Sequence, residues 1–85
     1  MNLNPAYYNL HTRTKLEQLG DHHLGIVKLI KSRLIRKDAE KIIEMSEQIR
    51  NINPQLKVSL ICSSNICSKS IALLEENKIE IVIRA

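Results

Sequence analysis

A run of basic residues between positions 28 and 37 offers the clearest chemistry in this sequence. Five of these ten positions carry a cation and none carries an acid; the cations are Lys28, Lys31, Arg33, Arg36 and Lys37. Such a concentration of positive charge predicts a surface for phosphate groups, which makes nucleic acid the first partner to test. This contact would be salt-sensitive and would not read bases. The alternative interpretation is a charged surface that faces only water.

A polar loop near the two cysteines is the second candidate site. Ser63, Ser64, Asn65 and Ser68 lie between a predicted strand and a predicted helix, which is where α/β folds place their ligands. Backbone N–H groups at a helix start, together with serine hydroxyls, can hold an anion. The pattern therefore predicts an anion-binding or regulatory loop, in which a cysteine would have a lowered pKa.

The cysteines themselves allow two interpretations. The segment from Cys62 to Cys67 reads Cys-x-x-Asn-Ile-Cys, which resembles the loop of the low-molecular-weight tyrosine phosphatases and implies that Cys62 is a catalytic cysteine. Ser68 stands where that family has an arginine. The residue types alone favour a structural role for two reduced thiols. Cys62 would end a buried strand, and Cys67 would pack under the next helix.

Two adjacent histidines, His22 and His23, follow Asp21. A metal site needs three or four converging ligands. Neighbouring side chains on a strand point to opposite faces, so these histidines would not converge. No metal site is therefore predicted here.

The elements that must position these residues can be predicted from periodicity and from turn signals. Asn4 and Pro5 predict a short helix that ends near Leu10 or His11. The segment that follows is ambiguous between strand and helix, and Gly20-Asp21 predicts a hairpin turn. Asp38 is the expected N-cap of an amphipathic helix that Asn53-Pro54 stops. The remaining predicted elements are strands over residues 24–31, 57–62 and 79–84 and a helix from about 68–70 to 77.

The predicted fold is α/β: a short N-terminal helix and a possible β-hairpin followed by β-α-β-α-β, in two or three layers, with a mainly parallel or mixed sheet. The 85 residues suffice for one domain, residues 1–85. The two main helices are expected to leave one face or edge of the sheet uncovered, which favours a homodimer. No apolar run could span a bilayer and no signal peptide is evident, so the expected location is the cytoplasm, without membrane contact.

One resemblance covers residues 24–83 and the turn before them. Asp21 lies in that turn, Lys31 lies on the predicted strand, and Leu73-Leu74-Glu75 precedes the last strand. This arrangement resembles the core of the restriction-endonuclease-like, or PD-(D/E)XK, superfamily. The resemblance implies a Mg²⁺-dependent nuclease with Asp21 and Lys31 in its catalytic site. Leu29 stands where the family carries a metal-binding glutamate, so the motif is degenerate.

Some members of that superfamily take the missing carboxylate from the following helix, which makes Glu44 the third catalytic candidate, with Glu40 as an alternative. The helix pattern nevertheless predicts that both glutamates face solvent. Mg²⁺ would be the cofactor only if this nuclease interpretation holds, and no other cofactor is expected.

A further alternative comes from a different class of protein. A hairpin followed by αβαβ, with serines after a central strand, is similar to STAS-type regulatory domains, which implies phosphorylation by a partner kinase at Ser63, Ser64 or Ser68. That family would add a protein partner. The sequence does not decide whether the chain is an enzyme, and the preferred interpretation is a non-catalytic binding or regulatory module.

Overall fold

The computed structural model describes residues 1–84 and contains two α-helices and a four-stranded sheet. A 3₁₀ helix, Pro5–Tyr8, precedes a β-hairpin. The elements that follow alternate between helix and strand. In chain order they are β1 (Lys15–Gly20), β2 (His23–Lys28), α1 (Arg36–Ile52), β3 (Lys57–Cys62), α2 (Ser68–Glu76) and β4 (Glu80–Ile83).

The sheet is mixed, with its strands in the order β1-β2-β3-β4. β1 pairs antiparallel with β2, whereas β2 with β3 and β3 with β4 are parallel. The hairpin turn is Asp21-His22, and His22 adopts a left-handed backbone with φ of 56°. The predicted hairpin and the predicted β-α-β-α-β order are therefore confirmed.

Both helices cover the same face of the sheet, which makes the domain two-layered. Residues of α1, such as Ile42 and Ile49, share one buried cluster with Leu74 of α2 and with Ile26 and Leu60 of the central strands. The helices also contact each other. Of the two architectures left open by the sequence, the two-layer one is correct.

The start of α1 differs from the prediction. The helix begins at Arg36, and its N-cap is Ile35 instead of Asp38. Asp38 lies in the first turn, where its Oδ2 accepts a hydrogen bond of 3.0 Å from the backbone N–H of Ile35. An acid in the first turn of a helix can accept the backbone N–H of the N-cap residue. From the residue type alone, an acid in this role cannot be distinguished from an acid that is itself the N-cap.

β2 is shorter than predicted, because it ends at Lys28 and not at Lys31. Lys28 is paired with Cys62, the last residue of β3. β3 offers no further residue for pairing with β2 after Cys62, so Leu29 and the residues after it leave the sheet.

The N-terminal helix forms as a single 3₁₀ turn. Asn4 caps it through its Oδ1, which accepts from the backbone N–H of Ala6 at 3.1 Å, as predicted. The turn ends sooner than expected, because Asn9 adopts a left-handed backbone with φ of 60°.

The sheet face opposite the helices has an apolar centre and charged edges. Ile61 is fully buried there. Arg84 and Glu17, which belong to opposite edges of the sheet, form an ion pair of 2.7 Å. No helix in residues 1–84 is long and apolar enough to cross a bilayer. The homodimer expected on this uncovered face stays a prediction.

Candidate anion-binding surface at the carboxyl end of the sheet

The loops that follow β2 and β3 are joined by backbone hydrogen bonds. The N–H of Leu34 donates to the carbonyl of Asn65 at 2.8 Å, and the N–H of Cys67 donates to the carbonyl of Leu34 at 3.2 Å. Asn65 Nδ2 also donates to the carbonyl of Lys31 at 3.3 Å. The side chain of Leu34 is buried in the core. The basic loop is therefore held against the serine loop.

This junction places the predicted basic residues at one end of the molecule. Lys31, Arg33, Arg36 and Lys37 are exposed, and Lys28 is half-buried at the end of β2. Arg36 Nε lies 3.5 Å from Glu40 Oε1, so its charge is partly neutralised. Within residues 1–84, the other four cations form no salt bridge.

Lys69 adds an exposed cation from the first turn of α2. Its place beside the basic loop was not predicted, because Lys69 lies more than thirty positions from the basic run in sequence. The Leu34–Ile66 bridge and the hydrogen bonds of Asn65 bring the two segments together, and a local pattern does not reveal such contacts.

The serine loop has fewer free groups than the prediction assumed. Asn65 uses its carbonyl and its side-chain amide to hold the two loops together. The N–H groups of Ile66 and Cys67 also have backbone partners. Ser63 is half-buried, while Ser64 and Ser68 are exposed. A regulatory role of these serines stays a prediction, and Asn65 has a structural role in the loop.

The two free thiols lie in different environments. Cys62 is buried at the end of β3, and burial raises its pKa. Cys67 is the N-cap residue of α2, and its Sγ lies 2.9 Å from the Ser70 hydroxyl. That hydrogen bond is the main cause of a lowered pKa of Cys67, and the positive charge of Arg33 lowers it further. The more acidic thiol is thus Cys67, not the Cys62 that the phosphatase resemblance implies.

We expect Cys67 to react with iodoacetamide at neutral pH more than about tenfold faster than Cys62, because a buried thiol reacts only through local opening. Peptide mass spectrometry after timed alkylation measures both rates. Replacing Ser70 with alanine should raise the pKa of Cys67 and slow its labelling near neutral pH. Equal rates for the two thiols in the folded protein would contradict this prediction.

The three catalytic candidates are not brought together. Asp21 lies in the hairpin turn before β2, and Lys31 lies beyond its other end. The strand between them spans about 17 Å, which is too far for both residues to meet in one catalytic site. Glu44 is exposed on α1. In residues 1–84, no three His, Cys, Asp or Glu side chains are grouped to hold a metal.

The two adjacent histidines lie in different environments. His22 is exposed in the turn. His23 begins β2, and its Nε2 lies 2.6 Å from the hydroxyl of Ser59, a fully buried residue of β3. His23 thus satisfies a buried polar group, which is a structural role.

A cleft of about 250 Å³ lies beside the basic loop and was not predicted from the sequence. Its walls come from the segment before β1, the end of β2 and the first half of α1. The polar lining includes four cations, which are Arg13, Lys15, Lys28 and Lys41, together with His11, Thr14 and Asp38. Its cations are scattered over 29 positions, so only the hairpin and the β2–α1 connection bring them together.

Comparison of the chain with protein-family models, with curated proteins and with solved structures finds no match. The restriction-endonuclease-like resemblance consequently stays a prediction from the sequence.

Proposed function

We propose that this domain is a non-catalytic module that binds nucleic acid through its phosphates. The binding surface is the basic end, defined as Lys28, Lys31, Arg33, Lys37 and Lys69. The observation that supports it is the joining of the two loops by Leu34, Asn65 and Cys67, which holds the basic loop against the start of α2, the helix that carries Lys69.

The acids near the basic end do not cancel its charge. Glu40 is engaged by Arg36, a cation that is not counted in the basic end. Asp38 accepts the N–H of Ile35 and keeps its negative charge, so it offsets at most one cation. The five cations of the basic end therefore leave an excess of positive charge for an external anion, and the net charge of +4 acts in the same direction.

The composition of this surface indicates which kind of binding to expect. Both aromatic residues, Tyr7 and Tyr8, belong to the N-terminal 3₁₀ turn, so the basic end offers no ring on which a base could stack. Contacts to phosphates alone fix a protein on nucleic acid without reading its sequence. We therefore expect weak sequence preference and strong salt dependence.

The test is fluorescence anisotropy with labelled DNA and RNA oligonucleotides between about 50 and 200 mM salt. The double variant Lys31→Gln/Arg33→Gln removes two cations of the basic end. It should weaken binding at low salt by about tenfold and reduce the salt slope by about 2, because each lost phosphate contact removes about one from that slope.

The matched control is Lys57→Gln/Lys78→Asn, which changes the net charge equally. Lys57 pairs with Glu80 at the other end of the sheet. Lys78 is an exposed turn residue with φ of 61°, a conformation that asparagine tolerates. If both double variants weaken binding to the same extent, net charge and not the basic end is responsible. If no oligonucleotide binds at low salt, the proposed function is wrong.

A further inference from the structure

The cleft between the segment before β1, the end of β2 and α1 combines a basic rim with an apolar floor. Its cations come from three separate parts of the chain, Arg13 from the segment before β1, Lys28 from the end of β2 and Lys41 from α1. Lys15 also borders the cleft, but its pairing with Val27 places it on the uncovered face of the sheet together with Glu17. The apolar floor beneath them is the half-buried side chain of Met45. Ile26 and Ile42 lie under it in the core, each only 1 % exposed, so this floor is fixed in place.

The charge of the rim is not balanced within the described chain. In residues 1–84, none of its three cations forms a salt bridge. The one acid in the lining, Asp38, accepts the N–H of Ile35 at 3.0 Å and keeps its negative charge, so it offsets one of the three cations. A bound anion would balance the remaining excess of positive charge.

His11 adds a hydrogen-bond donor to the same site. Its Nδ1 accepts from the backbone N–H of Arg13 at 3.1 Å. A neutral imidazole that accepts at Nδ1 carries its proton on Nε2, where it is able to donate to a ligand. Thr14 supplies a hydroxyl in the same wall.

Size and lining together define the ligand. A volume of about 250 Å³ is slightly below the usual range of ligand sites, so it suits one small molecule or one end of a chain. The rim favours an anion, and Met45 offers apolar contact to a group attached to that anion. A bare inorganic anion would leave this contact unused.

We infer that this cleft binds a nucleoside 5′-phosphate, with the phosphate among the rim cations and the base against the floor. The choice of a nucleoside as the apolar group rests on the proposed nucleic-acid function. Lys28 belongs both to the rim and to the basic end, so a strand whose 5′ end lies in the cleft would continue onto that surface. No aromatic residue lines the cleft, so purines and pyrimidines should bind alike.

Isothermal titration calorimetry with AMP, CMP and inorganic phosphate tests the ligand class at fixed salt. AMP and CMP should bind within a few-fold of each other, and inorganic phosphate should bind at least about tenfold more weakly because it gains no apolar burial. Equal affinity for inorganic phosphate and AMP, or no binding of AMP, would overturn the inference.

The location of the site is tested by Arg13→Gln/Lys41→Gln, in which both changes fall on exposed rim residues. This variant should weaken AMP binding by about tenfold or more, since two charge-assisted contacts are lost. The double variant Lys57→Gln/Lys78→Asn again matches the change in charge and should bind AMP normally. An equal loss in both variants would refute the cleft as the site.

The source of the phosphate is distinguished with three single strands: 5′-phosphorylated, 5′-hydroxyl and circular. A preference for the phosphorylated end that disappears in Arg13→Gln/Lys41→Gln assigns the cleft to strand ends. AMP binding without such a preference assigns it to free nucleotide. If circular strands bind but AMP does not, the inference fails and the proposed function stands. If AMP binds and circular strands do not, the proposed function of the basic end fails separately.

Discussion

Replacement of Leu34 by alanine should lower the free energy of unfolding by about 2–5 kcal/mol, the range found for large-to-small changes in well-packed cores. Leu34 lies in a loop, but its side chain is only 1 % exposed and belongs to the main core cluster. The loss is large for a small domain, whose total stability is about 5–15 kcal/mol. Urea unfolding followed by far-UV circular dichroism measures it, and the melting temperature should fall by about 10 °C or more.

The neighbouring Ile35 provides the control for this experiment. Its side chain is 50 % exposed, so Ile35→Ala should change stability by no more than about 0.5 kcal/mol. Leu34→Ala keeps both backbone bonds of the loop junction but removes the side chain that anchors them. Hydrogen exchange at the amides of Leu34 and Cys67 should accordingly quicken, and binding to the basic end should weaken with it. If Leu34→Ala and Ile35→Ala are equally stable, the junction is not anchored in the core.

The strength of local patterns explains which parts of the fold could be predicted. The apolar stripe of α1, including Ile42 and Ile49, reports burial directly, and the two residues do lie in the core. The end of β2 could not be found in this way, because it depends on where β3 stops and not on the apolar residues Leu29 and Ile30. Strand ends are set by partners that are distant in sequence.

The residues of the candidate site could likewise be predicted only where a local sequence pattern reveals them. Lys31 and Arg33 were recognised because the basic run is continuous in sequence. Arg13 and Lys41 were missed because they are isolated in sequence and meet only in the folded chain. Conversely, Asp21 and Lys31 are ten positions apart and fit a catalytic motif, but the extended β2 separates them. Sequence spacing predicts proximity along a helix or across a turn, and not across the length of a strand.

Gly25 in the middle of β2 is the second position at which a single change should have a large effect. A Cβ atom there would lie 2.6 Å from Cδ1 and 3.1 Å from Cγ1 of Ile61, and 3.1 Å from Cδ1 of Leu19. Ile61 is fully buried, so it has little room to move. Gly25→Val should therefore destabilise the domain by about 2–3 kcal/mol through overpacking, measured by urea unfolding.

Two further variants decide whether contact with Ile61 is the cause. Ile61→Val removes Cδ1 and alone should cost about 0.5–1.5 kcal/mol. In the double variant Gly25→Val/Ile61→Val, the loss should be clearly smaller than the sum of the two single losses. The other glycine, Gly20, has only His23 Cβ near its own position for a Cβ, at 3.8 Å. Gly20→Ala should thus be neutral or slightly stabilising.

Additivity of the two changes would mean that the cost at Gly25 does not arise from Ile61. The expected non-additivity has a consequence for the uncovered face of the sheet. Gly25 and Ile61 lie on that face, between the edges that Glu17 and Arg84 connect. Because Gly25 has no side chain, the side chain of Ile61 packs directly against the backbone of β2. Ile61 is thereby buried without a second layer of helices. Glycine is unfavourable in a central strand by propensity. At this position, however, it allows a two-layer domain to bury an isoleucine on the uncovered face of its sheet.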